Sequence, residues 1–294
     1  MASIAEVVEA HRLRRLARQI VELHHAAERA RASAPDDRQW AELIAESWST
    51  LQATRRALEK SDDSEQAALL EDLIGKTWHE KELRRVEALR LLELAYESAV
   101  LSSGFRIETS YLLDVAAREG AGSLYVEKQI TPVRLKDTPP KRSYSGRLEV
   151  AAAGAYPGFP PTRLKLIDFE ECREADGPDW DRCLALAETS AGALRQRHLQ
   201  ATLSPIAPQE TYALFRPQTV LAQAGGLYLL DGEGKALRVD PSRQRSLRGL
   251  TGALREAAVG AAFIRLRFGE HGLTVEPLGA ILLRGEPRLV RFIA

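Results

Sequence analysis

The spacing of apolar residues changes near Gly104, and that change limits what the chain can fold into. Before it, apolar positions recur at steps of three and four, the period of a helix packed on one face. After it they alternate, or cluster in short runs between glycine- and proline-rich turns, which is how strands read. Two unlike parts are expected: a helical domain over 1–104 and an antiparallel β-rich α+β domain over 105–294. The fold class is α+β, with an N-terminal antiparallel helical bundle or helical hairpin followed by a largely antiparallel β domain with one or two helices.

In the first part Ser3 and Glu6 can form a capping box. Leu13, Leu16, Ile20, Leu23, Ala27 and Ala30 then make one helical stripe, broken at Pro35. Trp40, Leu43, Trp48, Leu51 and Leu58 mark a second helix, and Leu69 to Ile74 lead into Gly75. Thr77 and Glu80 offer a fresh capping box, and the run from Val86 to Val100 is apolar on nearly all sides. That run is expected to be a buried helix, either separate from the preceding one or continuous with it.

In the second part Phe105 to Val115, Leu124 to Val126 and Arg147 to Val150 read as strands, as do Leu164 to Phe169. Asp179 to Leu199 and Ser246 to Ala257 read as helices. The sharpest hairpin signal is Leu227–Leu230, the turn Asp231-Gly232-Glu233-Gly234, then Ala236–Val239. The end is a meander in which Ile264, Leu266 and Phe268 alternate with Arg265 and Arg267, one face dry and one wet. Tyr-Leu-Leu-Asp occurs at Tyr111–Asp114 and at Tyr228–Asp231, each before a glycine turn. Two hairpins meeting the same local demand explain this better than duplication.

Lys+Arg and Asp+Glu both total 41, so no global field draws the chain to nucleic acid or anionic lipid. No apolar run approaches the length of a membrane span, and Glu6 and Glu9 do not suit a targeting peptide. A cytoplasmic protein with no membrane partner is expected. Cys172 and Cys183 make no disulfide framework for a chain this long. Asparagine is absent, and arginine outnumbers lysine 33 to 8, a bias that both a thermophilic source and GC-rich coding would produce.

Most motifs fail on inspection. Gly75-Lys76-Thr77 resembles the end of a phosphate-binding loop, but position 70 is leucine and the segment follows a helix. Glu22 and His25 form one Glu-x-x-His pair, with His11, His24 and Glu28 nearby, but a helical di-iron site needs two such pairs. The two cysteines lack zinc-knuckle spacing. Glu108, Asp114 and Glu127 with Lys128 lie on adjacent expected strands and form the one weak metal alternative, the acid set of a metal-dependent nuclease. No catalytic residue, cofactor or firm metal site is assigned, and the chain leans away from being an enzyme.

Charge is uneven. Residues 1–104 carry a net −4 and the rest +4. Lys128, Arg134, Lys136, Lys141, Arg142 and Arg147 cluster around Tyr144, and Arg238, Arg243, Arg245 and Arg248 form a second set. Brought together, these would make a phosphate-tracking groove; apart, they are solvated loops. The stretch from Leu94 through Gly104-Phe105-Arg106-Ile107-Glu108, with Leu273-Thr274-Val275-Glu276-Pro277-Leu278 near the end, resembles uncharacterised bacterial proteins associated with SWIM zinc-finger proteins. The zinc-finger ligands are not present, so no functional residue carries over. The expectation is a non-enzymatic interaction or scaffold protein whose helical part self-associates or docks a protein partner. The alternative is nucleic-acid binding or processing through the loops at 128–147 and 238–248.

Overall fold

The computed structural model describes residues 4, 6–8, 14–32, 40–41, 43–45, 47–48, 50–52, 55, 79–100, 104–117, 124–133, 142–172, 177–202, 209–223, 226–269 and 272–292. The chain divides into two units, residues 1–83 with 203–207 and residues 84–202 with 208–294. In the first, α1 (Arg14–Ala32) buries Leu16, Ala17 and Ala26. Gln19 on the same face donates to Thr50 at 3.0 Å. The capping and helix expectations at Ser3, Leu13, Pro35, Leu58, Leu69–Ile74, Gly75 and Thr77 lie outside the described residues.

The expectation of an N-terminal helical bundle or hairpin ahead of a β-rich domain is overturned. Among the described residues the structure is mostly β, with about half of them in strands forming two sheets, and no N-terminal bundle is present. The run expected as a buried helix is instead a 3₁₀ turn at Glu80–Glu82 followed by the long strand β1 (Arg84–Val100). Leu89 and Leu91 pack in one cluster, while Leu92, Leu94 and Ala95 pack in another on the opposite face. A strand buried on both faces is apolar all round, as a buried helix is, and periodicity cannot separate the two.

β1 opens a small barrel with β2 (Phe105–Asp114), β3 (Leu124–Pro132), β4 (Arg147–Ala155) and β5 (Thr162–Cys172), in spatial order β1-β2-β3-β5-β4. All pairs are antiparallel except β3 with β5. Inward side chains from Leu89, Leu91, Leu112, Leu148, Val150 and Leu164 fill one part of the interior, as a barrel of this size requires.

After the barrel come α2 (Gly177–Leu186) and α3 (Ala191–Thr202), so the helix expected over 179–199 is two helices. The break falls where Glu188 bridges to Phe215 and its carboxylate accepts the Thr189 and Ser190 amides. The second sheet comprises β6 (Glu210–Phe215), β7 (Thr219–Gln223), β8 (Gly226–Leu230), β9 (Ala236–Val239), β10 (Ala258–Gly269), β11 (Gly272–Leu283) and β12 (Arg288–Arg291), with α4 (Gln244–Glu256) between β9 and β10. Its order is β6-β10-β11-β9-β8-β7, with β12 also on β11, and β9 pairs β11 in parallel. The hairpin at 227–239 and the closing meander fall where the alternation puts them.

This sheet is covered twice. One face packs Phe215, Ile264, Val275 and Leu282 against Leu194 of α3 and Leu250 and Ala253 of α4. The other packs Leu214, Phe263, Leu278 and Ile281 against Leu92, Leu94, Tyr111 and Leu113 on the outside of the barrel. Where the layers cross, Gly279 lies so close to β1 that a Cβ would sit 2.8 Å from the Leu94 carbonyl oxygen. No described helix is long and apolar enough to cross a membrane.

Candidate functional site at the open end of the barrel

Strand register sorts the inward side chains of β1, β2 and β3 into levels. Glu93, Leu112 and Tyr125 share one; Tyr96, Ser110 and Glu127 the next; Ser98, Glu108 and Gln129 the third. Leucine and valine thus give way to carboxylate, phenol and hydroxyl along the barrel. At the third level Glu108 is fully buried, yet Ser98 and Gln129 beside it are exposed.

The barrel is only partly closed at this end. β3 and β5 pair through Tyr125–Glu127 and Thr162–Leu164, three residues each. Beyond that point β3 continues to Pro132 and β5 to Cys172 with no ladder between them. Arg163 donates to the Lys128 carbonyl at 3.2 Å where they part. Among the described residues the result is an open seam, flanked by two strands that run the same way.

The segment Arg142–Gly146 crosses the inside of this end like a strap. The Ser143 hydroxyl and the Tyr144 amide donate to the Glu93 carboxylate. The Tyr144 phenol donates to Glu127 Oε2 at 2.9 Å, and its ring meets Phe169 of β5 edge-on at 6.0 Å. The Ser145 and Gly146 amides donate to Glu171 Oε1 at 2.8 and 3.1 Å. Arg291 of β12 pins the strap from outside, donating to Ser143 Oγ at 2.8 Å, to the Tyr144 carbonyl at 2.7 Å and to the Glu93 carbonyl at 2.9 Å.

Electrostatics follow the geometry. Burial, reinforced by Glu127, pushes the Tyr144 phenol well above its ordinary range. Burial and the bond to Glu108 push Tyr96 up to about 12. Both phenols therefore remain donors at neutral pH. Burial opposes the charge on Glu171, but the Gly146 and Ser145 amides outweigh it and hold that carboxyl below its usual value. Glu108 accepts from the Tyr96 phenol through Oε1 at 2.6 Å, while its Oε2 is buried with no donor. A buried carboxylate oxygen left without a partner is costly and calls for a reason.

The weak metal set is only partly assembled. Glu108 and Glu127 lie on neighbouring levels, but Asp114 lies at the far end of β2. Its Oδ1 accepts the Arg90 and Ala116 amides at 3.1 and 3.0 Å, and burial raises its pKa. Among the described residues no group of three or more His, Cys, Asp and Glu side chains is arranged to hold a metal ion. Glu22 pairs with Arg18 at 3.8 Å on an exposed helical face. Both cysteines are free thiols; burial pushes Cys183 up to about 12.

The two basic sets belong to different elements. Lys128 is exposed on β3, Arg142 is exposed in the strap, and Arg134, Lys136 and Lys141 lie outside the described residues. Arg147 is held by Asp179 at 2.7 Å and Glu149 at 2.8 Å, and Tyr144 is committed to Glu127. Arg238 sits on β9, Arg243 lies 3.6 Å from Glu276, and Arg245 and Arg248 are exposed on α4.

A second polar cluster lies between barrel and sheet. Arg265 is nearly buried and meets Glu276 at 3.1 Å, Glu210 at 3.3 Å, and the carboxylate of Glu97. The Tyr111 phenol donates to Glu97 at 2.5 Å, so this network ties β1 to β10. A polar cleft of about 350 Å³ opens beside Thr189, Arg216 and Gln218. Its Asp231 is consumed by the amides of Ala191, Glu233 and Lys235 at 2.9, 3.0 and 2.8 Å.

Sequence reasoning did not single out Glu93, Tyr96, Ser143, Glu171 or Arg291 as a group. They converge from three strands and one loop, and no local spacing announces them. No protein-family model matches the chain, and no curated protein matches it either.

Proposed function

We propose that this chain is an interaction protein that takes an extended segment of a protein partner along the open seam of its barrel. The supporting observation is the seam itself, where β5 from Leu166 to Glu171 has, among the described residues, a sheet neighbour on one side only. Unpaired N–H and C=O groups on an edge strand are a template for another strand. Because β3 and β5 run parallel, one segment antiparallel to both can ladder with each. Ile130, Ile167 and Phe169 are 51%, 48% and 40% exposed beside the seam, so an incoming strand also has apolar surface to bury. Asp168 and Glu170, both exposed, are the charges by which natural edge strands discourage indiscriminate pairing.

Selection of displayed random ten-residue peptides against the full chain tests this. The expected result is enrichment of sequences alternating β-branched and polar residues, whose binding weakens at least about tenfold in an Ile167→Asp, Phe169→Ser variant, since these side chains contribute the apolar contact. No enrichment over blank, or binders indifferent to the variant, overturns the proposal.

A further inference from the structure

Resting on that reading, we infer that the seam selects a basic strand, one that brings a Lys or Arg side chain inward to Glu108. Side chains of an extended segment alternate in direction, so a strand in the seam presents one set to the barrel interior and the other to solvent. Inside, the Glu108 carboxylate is fully buried and its Oε2 has no donor. Gln129, on the same level of β3 and so beside the seam, is exposed, and a long side chain entering past it is directed at the Glu108 level. A cation with N–H groups satisfies the orphaned oxygen and the charge together, as no neutral side chain can. Outside, Asp168 and Glu170 follow each other along β5 with no ion pair among the described residues, and they face the other set of the incoming strand. The β5 side of the vacant strand position is thus acidic outside, as the Glu108 level is inside, while Lys128 is exposed on the β3 side.

The same charges argue against a second copy of this chain in the seam. Antiparallel pairing of β5 with its own copy about Phe169 sets Asp168 opposite Glu170, and like charges directly opposite destabilise a ladder. Edge strands otherwise pair readily with their own kind. The acidic edge therefore both rejects self-association and recruits a basic partner.

Fluorescein-labelled ten-residue peptides of alternating Thr and Val, carrying two Lys, two Glu or no charge, are the probes, read by anisotropy with the full chain. The Lys peptide is expected to bind about tenfold tighter than the uncharged one and the Glu peptide weaker still, the difference shrinking in high salt. Glu108→Gln, whose amide oxygen still accepts from Tyr96, should remove most of the preference for Lys. Asp168→Asn with Glu170→Gln should remove part of it, and because both side chains are exposed this variant tests the idea even if Glu108→Gln does not fold. Equal binding of Lys and uncharged peptides overturns the charge rule while leaving the seam as a docking site. Binding of none of the three overturns the seam as well. Concentration-dependent dimerisation strengthened by the Asp168→Asn, Glu170→Gln pair supports the account of self-rejection; dimerisation of the unaltered chain through this edge overturns it.

Discussion

Replacing Gly279 with alanine tests whether barrel and sheet are packed as described. A Cβ there would lie 2.8 Å from the Leu94 carbonyl oxygen and 3.1 Å from the Val290 carbonyl oxygen. Both are backbone atoms in strands held by neighbours, so neither can swing aside as a side chain would. The nearer contact is about half an ångström short of van der Waals distance, so β11 must move away from β1. Overpacking of this kind costs about 1–3 kcal/mol. Alanine recovers about 0.4–1 kcal/mol by stiffening the unfolded chain, leaving a net loss of about 1–2 kcal/mol. For a unit of about 200 residues this lowers the melting temperature by roughly 2–8 °C. Gly252 is the control: it lies within α4 with nothing near its Cβ position. Alanine there should stabilise by about 1 kcal/mol through helix propensity alone. Thermal and urea unfolding followed by circular dichroism should therefore move in opposite directions for two chemically identical changes. A Gly279→Ala protein as stable as the parent would refute the close crossing of β1 and β11.

Three further outcomes follow from buried charges. Arg265→Met should destabilise by roughly 3–5 kcal/mol in urea, because Glu97, Glu210 and Glu276 are left facing one another without their cation, and a loss under about 1 kcal/mol would contradict that network. Asp240 works against burial but is held down to about 2 by Arg267 and Ser242. Its folded value is below its unfolded value, so its contribution is complete above about pH 4 and fades as pH falls towards 2. After allowance for solvent screening it amounts to about 1–2 kcal/mol, and Asp240→Asn should flatten that acid limb. His198 is buried against Phe268, with Nδ1 2.8 Å from Thr211 Oγ1 and Nε2 unpartnered, and burial lowers its pKa. Protonation therefore favours the unfolded chain, and stability should decline as pH drops below about 6.5. His198→Phe should abolish that decline; persistence of the slope would assign it elsewhere.

Much of the second half was legible because its physics is local. The hairpin at Leu227–Val239 is specified by alternation and by Asp231, which caps its own turn with two amides. Asp114 of the other Tyr-Leu-Leu-Asp stretch likewise accepts the Ala116 amide of its turn. α4 and the closing meander are patterned at their own periods. What the amino-acid order determines unaided is wherever one face is dry, the other is wet and a turn residue marks the end.

Only tertiary structure decided β1 and the barrel end. The Leu, Glu, Arg and Ala of residues 84–100 favour a helix by propensity. Partner strands on both edges and apolar layers on both faces outweigh a preference of a few tenths of a kcal/mol per residue. The carboxylate chamber is more remote still. Glu93 meets Arg291 across 198 positions and Glu171 meets the strap across 25, so their meeting depends on how strands close into a barrel. The seam arises where that closure stops: β3 and β5, held parallel, pair over three residues and then separate, a property of sheet geometry that no run of side chains spells out.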